Sequence, residues 1–361
     1  YSTLNIISLT FQVAAITFML VVLHRGVEGV LIGRLAGTAF EAAVFYFAAR
    51  RHLSVKFSAA ETRAMVAFGF PLIFSQLSFT LFMMIDRFFL DATGKRGEVG
   101  QYALANNIVS VISVLVTVPF SQVWTVMRFS VMNEEGAEEY YSRVLTYIVL
   151  AGTFLALLVS AVGGDGILFF ARRGYWPAAT VVPLLALATV LDGASRVLNV
   201  GITLRKRTIF APLVIIGALV FNVGLNFWLI PRYGIMGATI STLLSYVVFC
   251  ALRFWASNLF FKVNYEWKRV FTVLAFGGCL LAGFYIVDQV RGPEPSRAAL
   301  FLSAAAKITL AGCLPALLYA AGFFDEKERR RLAEIREKVV STFLRATGPV
   351  IGPDDRSIED S

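Results

Sequence analysis

Ten apolar segments of membrane-spanning length constrain this chain more than any other feature of its sequence. They are residues 3–23, 27–49, 66–90, 101–126, 144–171, 176–203, 209–230, 234–256, 269–289 and 299–323, called A to J in order. A helix needs about 20 apolar residues to cross roughly 30 Å of hydrocarbon. Residues 64–85, 99–127 and 208–231 contain no charged side chain. B is the weakest segment, because Arg34 and Glu41 interrupt it. Only 16% of the chain is charged, against about 25% in soluble domains. The expected fold class is therefore an all-α polytopic integral membrane protein with about ten transmembrane helices.

The net charge of +9 does not indicate a nucleic-acid partner, because the basic residues sit between the apolar runs. They read as positive-inside loops and contacts to lipid headgroups. Arg50, Arg51, Lys56 and Arg63 lie between B and C, and Arg205, Lys206 and Arg207 between F and G. Lys262, Lys268 and Arg269 lie between H and I, and Lys327, Arg329, Arg330 and Arg331 follow J. If every segment spans, all four groups share one face. Both ends of the chain are then expected on the cytoplasmic side of the cytoplasmic (cell inner) membrane. Residues 325–345 pattern as an amphipathic surface helix, with Leu332, Ile335, Val339 and Leu344 near one stripe. Cys250, Cys279 and Cys313 each lie alone in an apolar run, and His24 and His52 lack an acidic partner in sequence. No metal site or cofactor is expected from that pattern. The chain opens with Tyr1 directly ahead of an apolar run, with no basic n-region or cleavage site, so segment A is expected to span.

A short repeat links two of the turns. Gly26-Val27-Glu28-Gly29-Val30 joins A to B, and Gly234-Ile235-Met236-Gly237-Ala238 joins G to H. Each is Gly-apolar-x-Gly-apolar after a basic residue, or two unrelated glycine turns with the same look. As a repeat, it pairs A–B with G–H and divides the chain into halves of six helices, with four upstream of A and with I and J added.

Further motifs fall in order along the second half. They are Gly69-Phe70-Pro71, Ile85-Asp86-Arg87-Phe88-Phe89-Leu90, Val99-Gly100-Gln101-Tyr102-Ala103, Pro119-Phe120, Gly174-Tyr175-Trp176-Pro177, and Asn222 and Asn226 ahead of Leu229-Ile230-Pro231-Arg232-Tyr233-Gly234. In this order the chain resembles the polysaccharide and oligosaccharide-lipid flippases of the multidrug/oligosaccharidyl-lipid/polysaccharide exporter superfamily, over about residues 1–325. The resemblance implies a two-lobed transporter with its N-terminal lobe incomplete. Residues 1–50 would be the last two helices of that lobe, 51–65 an inter-lobe linker and 66–257 a six-helix C-terminal lobe. Two additional helices would fill 258–323, and 324–361 would form a cytoplasmic tail. The implied substrate is a lipid-linked oligosaccharide, a sugar chain on a polyprenyl pyrophosphate, flipped by alternating access.

Such a substrate needs a polar path for its head, with basic groups to offset the phosphates. Charged and amide side chains inside spans are costly and therefore default to functional candidates. Here they are Arg34 and Glu41 in B, Asp86 and Arg87 in C, Asn106 and Asn107 in D, Asp192 and Arg196 in F, and Asn222 and Asn226 in G. Each also has a structural reading. Arg34 and Glu41 share a helix face, and Asp192 and Arg196 stand at i,i+4, so either pair can satisfy itself. The asparagines can bond sugars or neighbouring helices. Gly29, Gly33 and Gly37 read as a packing stripe. Lys307 reads as a snorkelling residue, and Asp165 as interfacial. Glu41, Asp86 or Asp192 could hold a coupling proton or sodium ion.

A multidrug antiporter of the same superfamily is the nearest alternative, but it would place acidic rather than basic residues in its cavity. A membrane-embedded sugar polymerase or transferase would need converging acids, a His base or a metal. No such set is visible, so an enzyme is not expected.

Overall fold

The computed structural model describes residues 2–50, 58–205, 207, 209–292, 295–326 and 328–330. All regular structure among them is helical. α1 spans Ser2–Thr17 and runs into a π turn at Phe18–Val22; α2 is Gly26–Ala49 and α3 Ala59–Ala92. α4 (Arg96–Ile112) joins α5 (Val118–Ser130) through a π turn at Ser113–Thr117. α6 is Ala137–Phe170, α7 Pro177–Leu198, α8 Val200–Leu204 and α9 Phe210–Asn258; α10 is Trp267–Arg291 and α11 Arg297–Ala320. Nine helices among the described residues are long and apolar enough to cross a membrane. The chain is a multi-pass membrane protein.

Segments G and H both fall within α9, 49 residues long, which is helical on either side of Gly234 but not at it (φ 57°, ψ −132°). Pro231 removes an amide just before that point. α9 is thus two arms meeting at a corner, and the ten apolar segments and nine helices are the same set. The π turn before Pro119 has a related cause: the ring lacks an N–H and clashes with the carbonyl four residues back, so the helix widens ahead of it.

The chain divides into two units, Tyr1–Phe68 and Gly69–Ser361. In the first, α1 and α2 form a hairpin whose corner is at His24 (φ 50°) and Gly26 (φ 53°). Gly29, Gly33 and Gly37 are buried on α2. A Cβ on Gly33 would stand 2.8 Å from Ile16 Cα, and one on Gly37 would stand 2.6 Å from Gln12 Cγ. The stripe brings two helices close, as small residues do in membranes.

In the second unit α7 is the central helix, packed by α4, α6 and α9. α10 and α11 pack on each other and on α6. At one end of those three helices lies a buried charge network. Lys307 donates to Asp165 Oδ1 at 2.9 Å and stands 2.6 Å from Asp288 Oδ1. Ser303 Oγ donates to Asp165 Oδ2 at 2.6 Å, and Arg291 pairs with both aspartates. The side chains of Lys307 and Asp165 are only 3% and 5% exposed. Lys307 is therefore paired inside the bundle rather than extended along it, and Asp165 is a buried partner of two cations. Two cations and two carboxylates from three helices neutralise one another there.

At the other end of α6 and α10, Arg269 pairs with Glu266 at 3.0 Å and Glu328 at 2.7 Å, and Tyr147 donates to Glu328. Burial alone would raise the Glu328 carboxyl. Tyr147, the Asp325 amide and Arg269 outweigh it and hold the group below the usual carboxylate range. The start of the tail is tied here, and the remainder of the amphipathic helix expected over 325–345 lies outside the described residues from 331 onward.

Breaking a buried pair by removing one partner strands the other charge, at about 3–5 kcal/mol. Lys307→Met is expected to lower the unfolding midpoint of the purified protein in detergent. Adding Asp288→Asn to that variant restores neutrality and should recover most of the loss. A single Lys307→Met variant that melts like the parent would contradict the network's role.

Candidate functional site

Two polar clusters occupy the second unit, one toward each end of its helices. The first begins with Asp192 and Arg196, one turn apart on α7, where aspartate ahead of arginine is a favourable order. Their side chains meet at 3.0 Å. The second arm of α9 adds Arg253, whose Nη1 donates to Ser195 Oγ at 2.9 Å and to the Ser195 carbonyl at 3.0 Å. Its guanidinium lies 4.1 Å over the Phe249 ring. α3 closes the side with Ser75, Gln76 and Phe79. Together these groups line a cavity of about 330 Å³, room for roughly ten waters at about 30 Å³ each. It lies toward the end of the bundle that carries Arg205, Arg207 and Lys262.

The second cluster is built on Asp86, 2% exposed near the far end of α3. Asn226 Nδ2 donates to its Oδ1 at 2.7 Å. Tyr102 and Thr242 donate to Oδ2 at 2.7 and 2.5 Å. Asn226 also donates to Asn222 Oδ1 at 3.0 Å, and Asn222 donates to Ser241 Oγ at 3.2 Å. Asn106 donates to the Tyr102 carbonyl at 2.9 Å, one turn along α4. The Asn226 side-chain oxygen is buried without a hydrogen-bond partner. The carboxylate borders a small cavity of about 40 Å³ lined by Asp86, Tyr102, Asn106 and Thr242 among others. Oxygen-rich sets of this kind suit a hard cation or a proton. Groups of three or more His, Cys, Asp or Glu able to hold a metal are absent among the described residues.

An aromatic layer separates the clusters. Phe82 packs edge-on to Tyr246 at 5.2 Å and beside Phe249 at 5.8 Å. Gln76 and Asp86 are ten residues apart on α3, or about 15 Å along its axis.

The candidates drawn from sequence are thus sorted by the fold. Asp192 and Arg196 form one cluster; Asp86, Asn222 and Asn226 form the other, with Asn106 at its edge. Arg87 neighbours Asp86 in sequence but not in the network, and its Nε is buried without a hydrogen-bond partner. Asn107 is exposed on α4, and Arg34 and Glu41 are exposed on α2. Tyr102, Thr242 and Arg253 are site groups that sequence reading does not single out. Arg253 leaves a signal, being a lone cation inside segment H. Thr242 leaves none, since a hydroxyl in an apolar helix usually bonds its own carbonyl four residues back.

Tyr102→Phe removes a donor from a buried carboxylate, and hydrogen bonds to charged groups are worth about 1.5–3 kcal/mol. The variant is expected to melt earlier than the parent in detergent. Unchanged stability would mean that the phenol contributes nothing to holding Asp86.

Comparison with known proteins places this geometry. Residues 1–162 match the family model described as "Polysaccharide biosynthesis protein". Among solved structures, the chain matches the lipid II flippase MurJ in its inward closed conformation with a TM-score of 0.67 at 12% identity. The match covers 88% of this chain and 68% of that one, and at this identity it establishes the fold. No curated protein matches the sequence.

Proposed function

We propose that this chain, whose residues 1–162 match a polysaccharide biosynthesis family model and whose fold resembles that of MurJ, moves a lipid-linked oligosaccharide across the cytoplasmic membrane by alternating access. The observation that carries the reading is the cavity where Arg196 and Arg253 meet from two different helices. Sugars and a pyrophosphate cannot cross about 30 Å of hydrocarbon unaided. They need a polar cavity while the lipid tail stays in the bilayer. Guanidinium groups suit phosphate because their planar donors bind its oxygens in pairs. Asp192 holds Arg196 in place of an anion until one arrives. Two arginines against one aspartate give the cavity net positive charge, which favours an anionic head and opposes the cationic drugs of an antiporter.

Transport against a gradient needs a second, coupled ion. Among the carboxylates in the spans, Asp86 has the geometry for it: it is buried, has hydroxyl and amide partners, and stands next to an unpartnered oxygen. We assign it the coupling proton or sodium ion. The orientation proposed from the basic loops places the arginine cavity toward the cytoplasm, where a lipid-linked precursor is made, and Asp86 toward the other side.

Cells that depend on the natural full-length protein for polymer export provide the test. Arg196→Ala, Arg253→Ala, Arg87→Ala and Arg34→Ala are each introduced, and surface polymer and membrane abundance are measured together. Loss of export at normal abundance for Arg196→Ala and Arg253→Ala is the expected result. Normal polymer in both would overturn the arginine-cavity reading. Loss of export confined to Arg34→Ala and Arg87→Ala would move the anion path away from this cavity.

A further inference from the structure

The corner in α9 is held by two charges from elsewhere in the chain. Lys95 Nζ donates to the carbonyls of Ile230 and Pro231 at 3.2 and 3.4 Å. Those oxygens end the first arm, where a helix leaves its last carbonyls without partners and carries partial negative charge. Glu98 Oε2 accepts the Ile235 amide at 2.5 Å. That amide begins the second arm, where the orphan groups are donors and the partial charge is positive. A cation and an anion three residues apart at the start of α4 thus cap opposite ends of two helices. The carboxylate also fills the space beside Gly234, because a Cβ built there would collide with it.

The same face of α4 continues into the Asp86 cluster. Glu98, Tyr102 and Asn106 are spaced at i, i+4 and i+8, so they form one stripe. Glu98 grips the corner and Tyr102 grips Asp86 and Thr242. Asn226 on one arm and Thr242 on the other each stand eight residues from Gly234, a lever of roughly 12 Å. Opening the corner by about 5° would shift either side chain by about 1 Å. Their hydrogen bonds to Asp86 are 2.7 and 2.5 Å long, and such bonds fail beyond about 3.2 Å.

We infer that Glu98 and Lys95 are positioning residues, which fix the angle of the α9 corner and so bring Asn226 and Thr242 onto Asp86 as one ion-binding set. This rests on the assignment of the coupling ion to Asp86. Neither residue touches the ion; each acts through the arm that it caps.

Thermal unfolding of the purified full-length protein in detergent tests this. Sodium chloride is titrated against choline chloride at constant ionic strength, and the series is repeated from mildly acidic to mildly alkaline pH. The parent should be stabilised by sodium or by protonation, and Asp86→Asn should lose that response. Glu98→Ala should weaken the response roughly tenfold, or shift it by about one pH unit. Glu98→Gln keeps an oxygen for the Ile235 amide and should restore the response to within about twofold of the parent. Lys95→Gln, away from the carboxylate, should weaken it in the same direction as Glu98→Ala. If Glu98→Ala responds like the parent while Asp86→Asn has lost the response, the positioning role is wrong and the ion assignment stands. If Asp86→Asn responds like the parent, or the parent shows no response, the ion assignment fails and the positioning role with it. A Glu98→Ala protein with a lower midpoint in choline but the parent's sodium and pH response would reduce Glu98 to a stability cap and overturn the inference.

Discussion

A carboxylate taken out of water must be given donors, and meeting that demand at Asp86 organises α3, α4 and both arms of α9. Desolvating one ion costs several kcal/mol even after relaxation. Asp86 offsets this with three close donors on three different stretches of chain: Tyr102, Asn226 and Thr242. Asn226 and Thr242 lie sixteen positions apart in sequence, so the chain must double back between them for both to reach one side chain. That requires a sharp corner inside an otherwise helical run. Gly234 supplies it at φ 57°, a conformation that L side chains rarely adopt.

The arginine cluster obeys a different rule. Asp192 is buried, while Arg196 and Arg253 are partly exposed and line a cavity large enough for solvent, so these charges are only partly desolvated. Between the two clusters stand Phe79, Phe82, Tyr246 and Phe249. In the proposed cycle this aromatic layer keeps the substrate head and the coupling ion in separate compartments. Communication between them must then pass through the helices. α3 and the second arm of α9 each contribute to both clusters, so a tilt of either is felt at both ends.

Much of this was legible in the sequence. Apolar run length gives the helices, because hydrocarbon thickness sets a length that composition must fill. Intramembrane cost points to Asp86, Asp192, Arg196, Asn222 and Asn226, because charges and amides inside a span need a reason. What sequence cannot supply is who meets whom. Lys307 in an apolar run reads as a snorkelling residue until α6 and α10 bring Asp165 and Asp288 to it. Glu98 and Lys95 read as an ordinary polar turn, since their partners are backbone groups more than 130 residues away. Backbone amides and carbonyls have no sequence signature. Arg34 and Glu41 show the opposite case, being charged inside a span and yet exposed on α2.

The repeated glycine turns separate what a corner requires from what this corner has added. Gly26 and Gly234 open the same Gly-apolar-x-Gly-apolar pattern and have nearly the same φ, 53° and 57°. The two turns are not identical, because the first also bends at His24 (φ 50°). Their surroundings differ. A Cβ built on Gly26 meets no atom within 4 Å among the described residues, whereas one built on Gly234 meets the Glu98 carboxylate. At the second corner the carboxylate is carried by α4, which through Tyr102 also reaches Asp86. In the proposed role, a charge that caps the second arm and sits on the stripe holding the buried aspartate is placed to set the angle of the bend.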